Sequence, residues 1–73
     1  MQPSMLEALN KHLNLEYYSA YYYLSMSAYF HDTDLNGLGQ WMRLQYQEEL
    51  AHAAKFFDFI NDREGKVTLT QIE

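Results

Sequence analysis

The 73-residue sequence contains no cysteine, which excludes a disulfide-stapled scaffold, a thiolate zinc module, an iron–sulfur protein and a thiol enzyme, and fits a reducing compartment. Proline occurs once, at Pro3, and glycine three times, at Gly37, Gly39 and Gly65, so few positions can interrupt a helix. Basic groups are scarce: five Lys and Arg stand against ten Asp and Glu, a formal charge of -5. That balance opposes binding to nucleic acid or to an anionic membrane surface. No apolar run approaches the roughly 20 residues of a membrane-spanning helix, and Met1-Gln2-Pro3-Ser4 lacks the basic start of a signal peptide. The expectation is a soluble, cytoplasmic protein with neither nucleic acid nor membrane as partner. A chain this short rarely buries enough core to exceed a few kcal/mol of stability alone, so a metal, a partner or more chain is expected with it.

What is present is helix. Ser4-Met5-Leu6-Glu7 has the spacing of a capping box, and the uninterrupted stretch behind it predicts a first helix over about residues 4–31. Asp32-Thr33-Asp34 is a polar break. Asn36 is the expected N-cap of a second helix over about residues 36–63, and Gly65 its expected stop. At 1.5 Å per residue each helix is about 40 Å long, a length typical of bundles. Val67-Thr68-Leu69-Thr70 reads as extended, within a tail over residues 65–73. The fold class is all-α, an antiparallel two-helix hairpin in a single unit.

Following the 4,3 spacing of an inward seam gives Leu9, Leu13, Glu16, Ala20, Tyr23, Ser27 and Phe30 on the first helix. On the second it gives Leu38, Met42, Gln45, Glu49, His52, Phe56 and Phe59. Both seams are apolar at their ends and carry metal-ligand side chains near the middle. A turn centred between Thr33 and Asp34 sets Glu16 level with the turn of helix from Glu49 to His52. Two neighbouring buried carboxylates are costly, because each raises the pKa of the other, and a divalent or trivalent cation removes both costs. Carboxylate oxygen and imidazole nitrogen without sulfur suit iron, manganese or zinc. Glu49-Leu50-Ala51-His52 has the i, i+3 spacing that lets one helix face chelate one ion, and an ordinary hydrogen-bonded pair on a wet surface has the same spacing. Glu48 lies off the seam and reads as a solvated carboxylate. His12 and His31 read as exposed or capping histidines, and Trp41 as packing. Tyr17, Tyr18, Tyr21, Tyr22 and Tyr29 occupy flanks that the seam does not use and suit a subunit interface.

The stretch Asn14-Leu15-Glu16-Tyr17-Tyr18-Ser19-Ala20-Tyr21-Tyr22-Tyr23-Leu24-Ser25-Met26-Ser27 resembles the first helix of a ferritin, and Gln47-Glu48-Glu49-Leu50-Ala51-His52-Ala53 resembles its second. The tail Gly65-Lys66-Val67-Thr68-Leu69-Thr70-Gln71-Ile72 is similar to the start of the long crossover that follows. The resemblance covers the whole chain and the first two of four bundle helices, so it implies half of a ferritin-like four-helix bundle. It implies that Glu16, Glu49 and His52 bind the first iron of a di-iron ferroxidase centre, with Glu49 bridging to the second iron and Tyr23 acting beside them. Glu48 matches a position that in some ferritins faces an accessory iron. Bacterioferritins carry a haem-ligating methionine after the Glu49 position; here Leu50 stands there, and haem is not expected.

By this resemblance the function is iron storage or detoxification, with Fe(II) oxidised to Fe(III) by O2 or peroxide. Ferritin-like sites take a Glu from each of two helices and Glu-x-x-His from the other two, and this chain carries half of that set. The other half is expected from a second copy in a homo-oligomer, extending to a cage, or from the missing C-terminal half of a longer subunit. The second is favoured because the sequence ends inside what resembles a crossover. Two other readings compete: a helical module that binds a divalent metal without turnover, and an inactive structural piece of a larger bundle.

Overall fold

The computed structural model describes residues 1–72; residue 73 of the expected tail lies outside the described residues. Two helices, α1 (Pro3–Asp32) and α2 (Asn36–Asp62), fold back on one another as an antiparallel hairpin 48 Å long, and the described residues contain no strand. This is the all-α hairpin of the sequence reading. Among the described residues no helix is long and apolar enough to cross a membrane.

The helix ends differ from the expectation. At the start of α1, Gln2 is the extended N-cap residue and Pro3 occupies the first turn, while no side chain caps the helix. Proline's preset φ and missing N–H suit it to the first turn, so Ser4 falls inside the helix and the capping box does not form. Likewise Leu35, not Asn36, is the N-cap of α2. The Asn36 side chain is engaged elsewhere, accepting a hydrogen bond at Oδ1 from His31 Nδ1 at 2.9 Å.

Both helices end in the same hydrogen-bonded motif. Leu35 N–H reaches back to the Phe30 carbonyl (2.8 Å) and Asp34 N–H to that of His31 (3.2 Å). After α2, Gly65 N–H reaches Ile60 (2.9 Å) and Glu64 N–H reaches Asn61 (3.1 Å). This paired closure needs a left-handed residue, and the chain uses Asp34 (φ 62°) and Glu64 (φ 59°) where glycine is the usual choice. Gly65 is therefore not the left-handed stop expected of it. It lies in a close-packed spot, where a Cβ would stand 2.9 Å from Leu6 Cδ1, 3.0 Å from Ile60 Cγ2 and 3.2 Å from the Ile60 carbonyl oxygen. Glu64→Gly removes the left-handed penalty and is expected to stabilise the protein by about 1 kcal/mol. A melting temperature that stays level or falls in this variant would contradict the assignment.

The α1 seam is buried or half-buried along its whole length, with Leu13, Ala20 and Ser27 at its centre. The α2 seam holds at Met42, Gln45, Glu49 and Phe56, which are half-buried, and is displaced by one position elsewhere. Gly39, Ala53 and Ile60 are buried there, whereas Leu38, His52 and Phe59 of the expected seam are exposed. Small residues explain the shift: Ala20, Gly39 and Ala53 let the two helix backbones approach, and the bulkier neighbours turn toward the open side of the hairpin. Near the turn, the buried Ser27 hydroxyl donates to the Gly39 carbonyl at 2.7 Å. At the far end Leu13, Ala53 and Ile60 form the core, flanked by Leu6, Leu9, Tyr17, Phe56 and Val67. Trp41 is about half exposed and does not pack in this core, because it stands one position outside the stripe through Gly39 and Met42.

The described part of the tail, residues 65–72, forms no strand. It is held on α1 by two asparagines one turn apart: Asn10 accepts from Thr68 N–H and donates to the Lys66 carbonyl, and Asn14 accepts from Thr70 N–H and donates to the Thr68 carbonyl, all at 2.8–2.9 Å. Two side-chain amides thus satisfy alternate peptide groups of an extended segment.

Candidate metal centre

Glu16 comes from the middle of α1, and Glu49 and His52 lie one turn apart on α2. A ligand atom from each falls within 4.8 Å of the others. Glu16 Oε2 lies 3.6 Å from His52 Nδ1, and Glu49 Oε2 lies 3.7 Å from the same nitrogen. The two carboxylates are largely enclosed, with side chains 15% and 21% exposed, while His52 stands half open at 51%. The cleft beside them is lined by Leu9, Glu16, His52, Lys55, Phe56 and Phe59, so donor groups meet a mostly apolar wall.

The electrostatics are those of a carboxylate pair short of positive charge. The hydrogen bond with Glu49 holds the Glu16 carboxyl below its ordinary range, although burial works against this. The same contact, with burial and the Glu16 charge, pushes Glu49 up. The two neighbouring carboxyls thus shift in opposite directions because of one another. A cation seated between them would offset the charge of both carboxylates. Two hard carboxylates and one imidazole are a donor set that fits iron, manganese or zinc.

The other candidates lie apart from this cluster. Tyr23 is half-buried two turns along α1 from Glu16 and lines an open groove with Tyr18, Ser19, Tyr22 and Met26. Glu48 is exposed. Among the flanking tyrosines, Tyr18, Tyr21, Tyr22 and Tyr29 are exposed and Tyr17 packs against the core. Sequence reasoning read His12 as exposed or capping, and it is exposed, but its Nε2 also meets Glu16 Oε1 at 3.1 Å; the asparagines that hold the tail were passed over. His12 stands four residues before Glu16, and helical spacing alone points to that contact.

A hairpin of two long helices with Glu on one and Glu-x-x-His on the next has the architecture of half a ferritin-like carboxylate bundle. Comparison with known proteins agrees. The sequence matches the ferritin-like domain family over residues 6–73. It is 40% identical over 63 residues to the bacterial non-heme ferritin of Staphylococcus haemolyticus, covering 86% of this chain and 38% of that protein. It is 39% identical over 67 residues to the ferritin lower subunit of Aquarana catesbeiana, covering 89% and 39%. Among solved structures, the open-pore ferritin of the archaeon Archaeoglobus fulgidus superposes with a TM-score of 0.96 at 52% identity, over all of this chain and 44% of that one. The chain belongs to the ferritin family. It spans 38–44% of the length of these relatives.

Proposed function

We propose that these residues form the first half of one ferritin-like four-helix domain, whose protein stores and detoxifies iron by oxidising Fe(II) to Fe(III). The observation that carries this reading is the convergence of Glu16, Glu49 and His52, with donor atoms within 4.8 Å, from helices that the turn brings together. Fe(II) is the substrate. Two Fe(II) ions give up two electrons, and O2 with two protons accepts them as hydrogen peroxide; peroxide as oxidant takes two electrons to water. Carboxylates favour the harder Fe(III), so the ligand set helps drive the oxidation. In this reading Glu16, Glu49 and His52 would hold the first ion, Glu49 would also serve a second, Tyr23 would act on the chemistry from two turns along α1, and Leu50 provides no haem ligand.

The remaining ligands come from two further helices. A lone hairpin leaves Leu38, Phe57 and Phe59 exposed at 39–47%, together with the open side of the Glu16 cleft, and this apolar surface calls for a cover. The relatives' greater length makes a second helical pair in the same subunit the economical source, with residues 65 onward leading into a crossover. The exposed tyrosines of α1 then face other copies in a homo-oligomer.

The test is made on the full-length protein supplied with Fe(II) in air. Anomalous scattering at the iron edge is expected to peak between Glu16, Glu49 and His52, with O2 consumed in step. Metal bound there without oxygen uptake would favour a binding module; no metal there would favour a structural role.

A further inference from the structure

Glu16 has two carboxylate oxygens, and they face different partners. Oε2 points into the cluster, 3.6 Å from His52 Nδ1. Oε1 is held from behind by His12 Nε2 at 3.1 Å, one turn earlier on α1. We propose that His12 is a positioning residue of the iron site, whose Nε2–H anchors Oε1 so that Glu16 offers the single oxygen Oε2 to the ion shared with Glu49 and His52. The inference rests on the metal-site reading above.

Three observations carry it. An ionised carboxylate can only accept a hydrogen bond, so Nε2 bears the hydrogen and cannot at the same time coordinate an ion. The His12 side chain is 54% exposed and would turn freely on a bare helix, but its ring lies 4.5 Å from that of Phe56 on α2, tilted by 34°. Phe56 in turn packs against the Leu13, Ala53 and Ile60 core. The imidazole is therefore fixed from the opposite helix, and through it the rotation of the Glu16 carboxylate. Ligating carboxylates need such outer partners to keep one geometry, and losing one typically costs 10–100-fold in metal affinity.

Two variants separate the hydrogen bond from the stacking. His12→Phe keeps an aromatic ring against Phe56 and loses the donor; His12→Gln keeps a donor at similar reach and loses the ring. In the full-length protein titrated with Co(II) and followed by its visible absorption, His12→Phe is expected to weaken binding roughly 10–100-fold, and His12→Gln to bind close to wild type. The melting temperature of metal-free His12→Phe is expected to match wild type. Wild-type affinity in His12→Phe, an equal loss in both variants, or a Co(II) spectrum that loses a nitrogen ligand in His12→Gln would each overturn the assignment. Wild-type protein that takes up no Co(II) at Glu16, Glu49 and His52 would overturn the metal-site reading, and the role of His12 with it.

Discussion

In the full-length, assembled protein, Glu49→Ala and His52→Ala are each expected to abolish the fast phase of aerobic Fe(II) oxidation. Removing a group that only orients a ligand already costs 10–100-fold in metal affinity or activity, so removing a ligand is expected to slow that phase on the order of 100-fold or more. Neither change should harm the fold. His52 stands half open to solvent, and Glu49 carries a carboxyl that its neighbour Glu16 has already pushed up. Taking Glu49 away relieves that conflict and puts alanine, the best helix former, inside α2. Metal-free Glu49→Ala is therefore expected to melt no lower than wild type. Stopped-flow traces that match wild type in both variants would remove the oxidation-site assignment.

Leu13→Ala should do the reverse, lowering stability while leaving the site chemistry in place. Leu13 is fully buried where the two helices meet, against Ala53 and Ile60 with Leu6, Leu9 and Val67 around it. Truncating such a leucine loses its transfer free energy and leaves a cavity, together about 2–5 kcal/mol. For a subunit of ordinary ferritin size this corresponds to a fall in melting temperature of roughly 10 °C. Scanning calorimetry on the full-length protein reads the shift directly. A change within a degree or two would mean that the Leu13 core does not hold the hairpin together.

The cluster of Glu16, Glu49 and His52 was legible in the sequence because its parts are set locally. Glu49 and His52 are one turn apart whatever the helix packs against, and the turn at Thr33 and Asp34 fixes how far along α1 their level partner lies. Reading an inward seam then selects Glu16 among the acidic residues. The α1 seam held along its length, every residue in it being buried or half-buried. The α2 seam did not, because periodicity shows that a helix has an apolar face and not which neighbour that face meets. In the hairpin, α2 turns its small residues Gly39 and Ala53 toward α1, and Leu38, His52 and Phe59 look outward.

Other features depended on competition that a linear pattern does not contain. Ser4 and Asn36 have capping chemistry, but Pro3 starts one helix earlier and His31 occupies the Asn36 oxygen. Gly65 has the conformational freedom of a helix stop, yet Glu64 takes the left-handed turn, and Gly65 lies close against Leu6 and Ile60. His12 acquires its role from Phe56, 44 positions away, and the tail acquires its course from Asn10 and Asn14. The sequence by itself determined the two helices, the turn between them and the residue types that meet at the cluster, since these follow from spacing along one chain. Which face of α2 is buried, how the His12 ring is held and what holds the tail depend on contacts between segments distant in sequence, and only the folded hairpin supplies them.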